Sequence, residues 1–170
     1  MDSPLQPVGP QAGDAPDVYQ GLRTMAMRVT PQQLGLEGEV PEGTLLGAIF
    51  EIGFDTGNAT LVSLVDGTTS LYFNTGGGII GAGMHETVRA ASQAFMAAVF
   101  KASQQFFPGE PAALPVEDES TIIVVATGGC YYATERDDVL GSGDSPLSPA
   151  FTAAHHLLFE LRQIEAQQQQ

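Results

Sequence analysis

Residues 66–86 read DGTTSLYFNTGGGIIGAGMHE, and this stretch decides the fold. It combines a tight turn, a strand, a glycine-rich loop and the start of the longest helix. Asp66-Gly67 suits a two-residue type I′ turn, because both central positions of that turn need positive φ. Ser70 and Tyr72 then alternate with Leu71 and Phe73, the period-2 pattern of a strand. Five glycines follow between Gly76 and Gly83, where backbone shape matters more than side chains.

Working back from Asp66, Ala59 to Val65 reads as a strand, and Asp55-Thr56-Gly57-Asn58 as the turn before it. Leu45 to Phe54 is a further strand. One of its faces carries Leu46, Ala48, Phe50, Ile52 and Phe54; the other carries Leu45, Gly47, Ile49, Glu51 and Gly53, a mixed set. With Thr68 to Asn74 these form a three-stranded antiparallel meander. Upstream of it, Thr30-Pro31-Gln32-Gln33 predicts a capping box on a short turn of helix that Leu34-Gly35 ends. From Asp17, the spacing of Val18, Leu22, Met25 and Val29 predicts a helix buried on that stripe, with Arg23, Thr24 and Arg28 on the other side.

Working forward, Val88, Ala91, Phe95, Val99, Ala102 and Phe106 recur at helical spacing, with Gly83 as the expected N-cap and Pro108-Gly109 as the stop. Phe95, Met96, Val99, Phe100, Phe106 and Phe107 cover more than half of this helix, so it is either buried between layers or shared with a partner. After an acidic, proline-bearing loop, Thr121 to Ala126 is a continuous apolar run, hence an interior strand covered on both faces. Gly128-Gly129 turns it back into Cys130 to Arg136. Asp137 to Asp144 reads as a polar loop, and Ser148-Pro149 opens a last helix with the stripe Phe151, Ala154, Leu158, Leu161.

The order is α-βββ-α-ββ-α. It predicts an α+β domain with a five-stranded, mainly antiparallel sheet and helices packed in layers. Residues 1–15, rich in Pro, Gln, Gly and Asp, are expected to be a disordered leader. Residues 16–166 form the single domain and 167–170 a polar tail. This pattern ranks Val124→Asp, on the interior strand, as far more damaging than Thr60→Asp on a half-polar one.

Charge narrows the function classes. Twenty acidic residues against six basic give a net charge of −14. Such a surface repels phosphate backbones and anionic lipid, so nucleic-acid and membrane partners are not expected. Cys130 is the single cysteine, which excludes an intramolecular disulfide and a cysteine-based zinc site. The N-terminal residues lack the basic and apolar regions of a secretory signal, and no apolar run approaches the roughly 20 residues that span a bilayer. A cytoplasmic protein is the expectation.

Leu71-Tyr72-Phe73 followed by Gly76-Gly77-Gly78 and Gly81 resembles a family of small bacterial proteins with no known activity. The resemblance extends to Leu34-Gly35-Leu36 and Ser148-Pro149. At the level of fold, helices around an antiparallel sheet are similar to profilin-like and roadblock-type modules, adaptors that dimerise or scaffold other proteins. Roadblock modules place two strands before the middle helix and three after; this chain has three and then two.

Gly76-x-Gly78-x-x-Gly81 matches a dinucleotide fingerprint in letters. However, the strand before it belongs to a meander, and the position about 20 residues on is still helix, so that reading fails. His155-His156 diverge on a helix by about 100° and cannot face one site. Ser142 lacks a nucleophile elbow, Cys130 has no basic neighbour, and Glu135, Asp137, Asp138 and Asp144 lack calcium-loop spacing. No catalytic residue, metal or cofactor is expected. The leading expectation is a non-enzymatic interaction or scaffold module acting as a homodimer or on another protein. The alternative is a small enzyme or ligand binder at the glycine-rich loop, with Tyr72, Asn74, Thr75, Gly76, Gly77, Gly78, His85 and Glu86 as its site.

Overall fold

The computed structural model describes residues 15–168. Its elements are α1 (Ala15–Met27), β1 (Leu45–Gly53), β2 (Asn58–Leu64), β3 (Thr69–Phe73), β4 (Gly78–Ile79), α2 (Glu86–Lys101), β5 (Phe107–Pro108), β6 (Glu119–Ala126), β7 (Gly129–Arg136), α3 (Asp137–Ser142) and α4 (Ser148–Gln168). The expected leader lies outside the described residues except for Ala15, which opens α1. Gln167 and Gln168 of the expected tail belong to α4.

The sheet is wholly antiparallel, in the order β4-β3-β2-β1-β6-β7-β5. It has seven strands where the sequence pattern predicts five. The two additional strands, β4 and β5, are two residues each, at opposite edges. One lies in the glycine run and the other contains a proline, so neither shows alternation. Each covers only part of its neighbour: β4 pairs with Leu71 and Tyr72 of β3, and β5 with Tyr131 and Tyr132 of β7.

Strand alternation distributes the core to both faces. Ala48, Phe50, Leu61, Leu71 and Ile122 face α2 and α4, meeting Phe95, Val99, Leu157 and Leu161. Ile49, Val62, Ile123 and Val125 face the other way, toward Ala26 and Met27 of α1 and Leu34 of the following 3-10 turn. Ile122 and Ile123 are both buried in these opposite clusters, so β6 is an interior strand covered on two sides. A register shift between Leu45 and Gly47 moves Leu46 into the α1-side cluster, against the face that alternation assigns it.

Several local readings change. The β2–β3 connection is not type I′: Asp66 keeps a negative φ, only Gly67 is left-handed, and Leu64 bonds across to Thr68. That is a three-residue loop with glycine in the left-handed position. His85, not Gly83, caps α2, because Gly83 sits in a 3-10 turn pressed against the β2–β3 loop. Asp137–Ser142 is a short helix, with Ser120 Oγ donating to Asp137 at 2.6 Å. On α1 the buried face is Tyr19, Arg23, Ala26 and Met27, while Val18 and Met25 are exposed. The expected stripe is therefore rotated, because the strand face beneath α1 presents Glu51 and draws Arg23 inward.

The Thr30 capping box forms as read: Thr30 N–H donates to Gln33 Oε1 at 2.9 Å, and Gln33 N–H to Thr30 Oγ1 at 3.2 Å. Gly35 ends that turn in the left-handed conformation.

Candidate functional site

The nominated loop residues do not form one polar site. Asn74 is spent on structure: its Oδ1 accepts the Asn58 N–H at 2.8 Å, tying the β1–β2 turn to the end of β3. Thr75, His85 and Glu86 are exposed, and His85 and Glu86 stand at the start of α2. Gly78 lies so close to β3 that a Cβ there would meet the Leu71 carbonyl oxygen at 2.1 Å, and Gly77 is left-handed. The glycines are thus accounted for by chain geometry.

Tyr72, Gly76, Gly77 and Gly78 do converge, on an apolar cleft of about 230 Å³ shared with Val18, Tyr19 and Leu22 of α1. Leu22 and Tyr72 continue into a second cleft of about 410 Å³ between α1 and strands β2 and β3, walled by Met25, Val29, Val62 and Leu64. A third, of about 480 Å³, shares Thr68 and Ile80 with these and extends to Met84 and Arg89. The three adjoin one another along one groove-like face, each sharing lining residues with the next. Met25, Ile80 and Met84 stand 69%, 75% and 85% exposed along it, an apolar rim of the kind that marks interaction surfaces.

Under α1 lies the feature that sequence reasoning missed. Glu51 is fully buried and accepts bonds from Arg23 Nε at 2.6 Å, Arg23 Nη2 at 2.8 Å and Thr60 Oγ1 at 2.6 Å. Since the Thr60 proton goes to Glu51, the Tyr19 hydroxyl donates to Thr60. Burial pushes the Tyr19 phenol up to about 12. Burial opposes the Arg23 charge, but the Glu51 bonds outweigh it and hold the guanidinium above its ordinary value. The available signal was a single carboxylate in the middle of an otherwise apolar strand. The network ties Arg23, Glu51, Thr60 and Tyr19 to one another, so it positions α1 on the sheet.

The remaining reactive groups are dispersed. Cys130 is buried, donates to the Met27 carbonyl at 3.1 Å and is pushed up to about 11 by burial, so it is a thiol, not a nucleophilic thiolate. His155 stacks edge-on against Phe50 and Phe151, with ring centroids 5.5 and 4.4 Å away, and burial lowers its pKa. His156 turns to Glu160, 3.3 Å away on the same helix. Among the described residues no three His, Cys, Asp or Glu side chains are grouped to hold a metal ion, and no helix is long and apolar enough to cross a membrane.

No family model, curated protein or solved structure matches this chain.

Proposed function

We propose that this protein is a non-enzymatic interaction module that works as a homodimer. The observation that carries this reading is the groove beside α1. It is open and mainly apolar, made of three adjoining clefts, and among the described residues its ionised lining residues are Arg28, Asp66 and Arg89. A surface of that character suits side chains of another protein better than a polar substrate, which needs converging acid, base or anion-binding groups. The layered helices and antiparallel sheet support an adaptor role like that of roadblock-type modules, by likeness of architecture alone. A single buried thiol supports a reducing, cytoplasmic setting. Light scattering across micromolar concentrations tests the reading: a particle of twice the chain mass is expected, and a monomer throughout overturns it.

A second reading rests on the cleft of about 230 Å³, in which Tyr72 and Gly76 to Gly78 face α1. A small apolar ligand fits there. A thermal-shift screen with apolar small molecules should then raise the melting temperature of the wild type and not of Tyr72→Ala; no stabilising compound removes this reading.

A further inference from the structure

Resting on the homodimer reading, we propose that the groove beside α1 is itself the dimer interface. Two copies pack this face together about a two-fold axis, with Asp66 of each protomer opposite Arg89 of its partner.

Side-chain character supports a second copy. The exposed contacts are led by Met25, Ile80 and Met84, and unbranched methionines adapt to a facing surface.

Charge supports it independently. Two chains of −14 repel each other over most of their surfaces. This groove is lined by two arginines and one aspartate, so it is one place where copies approach without facing acid against acid. A two-fold interface must also be self-complementary, with donor and acceptor on the same patch. Asp66 and Arg89 line the same cleft yet, among the described residues, neither forms an ion pair. Among the described residues, Asp66 accepts the Thr68 N–H alone, and the Arg89 side chain makes a single long bond of 3.4 Å to the Gly83 carbonyl. Each keeps its charge available for a partner.

At the groove, edge pairing is the disfavoured route. β4 is two residues long, and beside it Gly83 lies close to the Gly67 carbonyl. The association there is thus one of side chains.

The test uses the full chain and compares two surfaces by sedimentation and light scattering. Met25→Glu combined with Ile80→Glu should give a monomer with an unchanged circular dichroism spectrum, since both positions are exposed. Phe100→Glu, on the exposed side of α2, should remain a dimer. A monomeric wild type overturns the homodimer reading and this inference with it. A dimeric wild type that Phe100→Glu dissociates, and the groove variant does not, leaves the reading standing and overturns the interface. The pairing has its own readout. Asp66→Arg and Arg89→Asp should each weaken self-association at least tenfold, because each sets like charges opposite one another. Mixed together, the two variants should form a heterodimer in which both cross-pairs are opposite in charge, an outcome that pairing within one chain cannot produce. Two variants that stay monomeric when mixed overturn the Asp66–Arg89 contact.

Discussion

Arg23 reaches from α1 to Glu51 in the middle of β1 and grips it with two hydrogen bonds, Nε to Oε2 at 2.6 Å and Nη2 to Oε1 at 2.8 Å. Both side chains are buried. The helix is thus keyed to the sheet by a charge pair beside the apolar contacts of Ala26 and Met27. Such a pair adds little over well-packed apolar residues, but losing one member strands the other charge. Glu51→Ala should therefore cost about 3–5 kcal/mol in urea denaturation. The double variant Arg23→Met with Glu51→Leu should recover most of that loss. Equal losses in the single and double variants would show that packing, not charge, fixes α1.

The same network reverses the ranking of two substitutions. By pattern, Val124 on the interior strand is the sensitive position and Thr60 the tolerant one. In the fold Thr60 is fully buried and donates to Glu51, whereas Val124 is half-buried. Thr60→Asp sets a second carboxylate against Glu51 with no water to screen it. It should abolish folding, while Val124→Asp should leave a destabilised but folded protein. Circular dichroism and urea midpoints on the two variants decide between the rankings.

These reversals show what a sequence pattern carries. Periodicity reports apolar residues, so α2, β6 and the two-sided core were legible from Val88, Phe95, Ile122 and Ile123. It does not report which polar residues are buried in pairs. Helical spacing sets Arg23 opposite the stripe of Val18, Leu22, Met25 and Val29, and the partner that makes its burial tolerable lies 28 positions away in the chain. β4 and β5 were illegible for a different reason: two residues have no period. The groove was half legible. Tyr72 and Gly76 to Gly78 were marked by their position, but Leu22 and Met25 were assigned to the core, and only the rotation of α1 brings their flank beside the glycine loop.

Alkaline pH should test the Tyr19 bond. The phenol is raised from 10.0 to about 12 by burial, so the fold favours its neutral form. Between those values the unfolded chain binds fewer protons than the native one, and stability falls as pH rises. The contribution is complete below the unfolded value of 10.0 and is lost toward about 12. Tyr19→Phe should flatten that decline while leaving the acid side of the profile unchanged. An unchanged alkaline slope would place the Tyr19 hydroxyl in contact with water.

Three glycine-to-alanine substitutions should separate three physical effects. Gly21 lies inside α1 with nothing within 4 Å of an added methyl, so alanine should stabilise by up to about 1 kcal/mol through helix propensity. Gly77 also has open space, but its φ of 83° is left-handed, and alanine there should cost about 1–2 kcal/mol. Gly83 has no such strain. Its added Cβ would lie 1.9 Å from the Gly67 carbonyl oxygen, which is backbone and cannot rotate away. Gly83→Ala must push the β2–β3 loop from the turn that leads into α2, so it should be the most destabilising of the three. It should also distort the cleft that Asp66 and Arg89 line. Urea midpoints should rise for Gly21→Ala, fall modestly for Gly77→Ala and fall furthest for Gly83→Ala. If Gly83→Ala proved no worse than Gly77→Ala, the close approach of the two loops would be wrong, and with it the shape of the groove at that end.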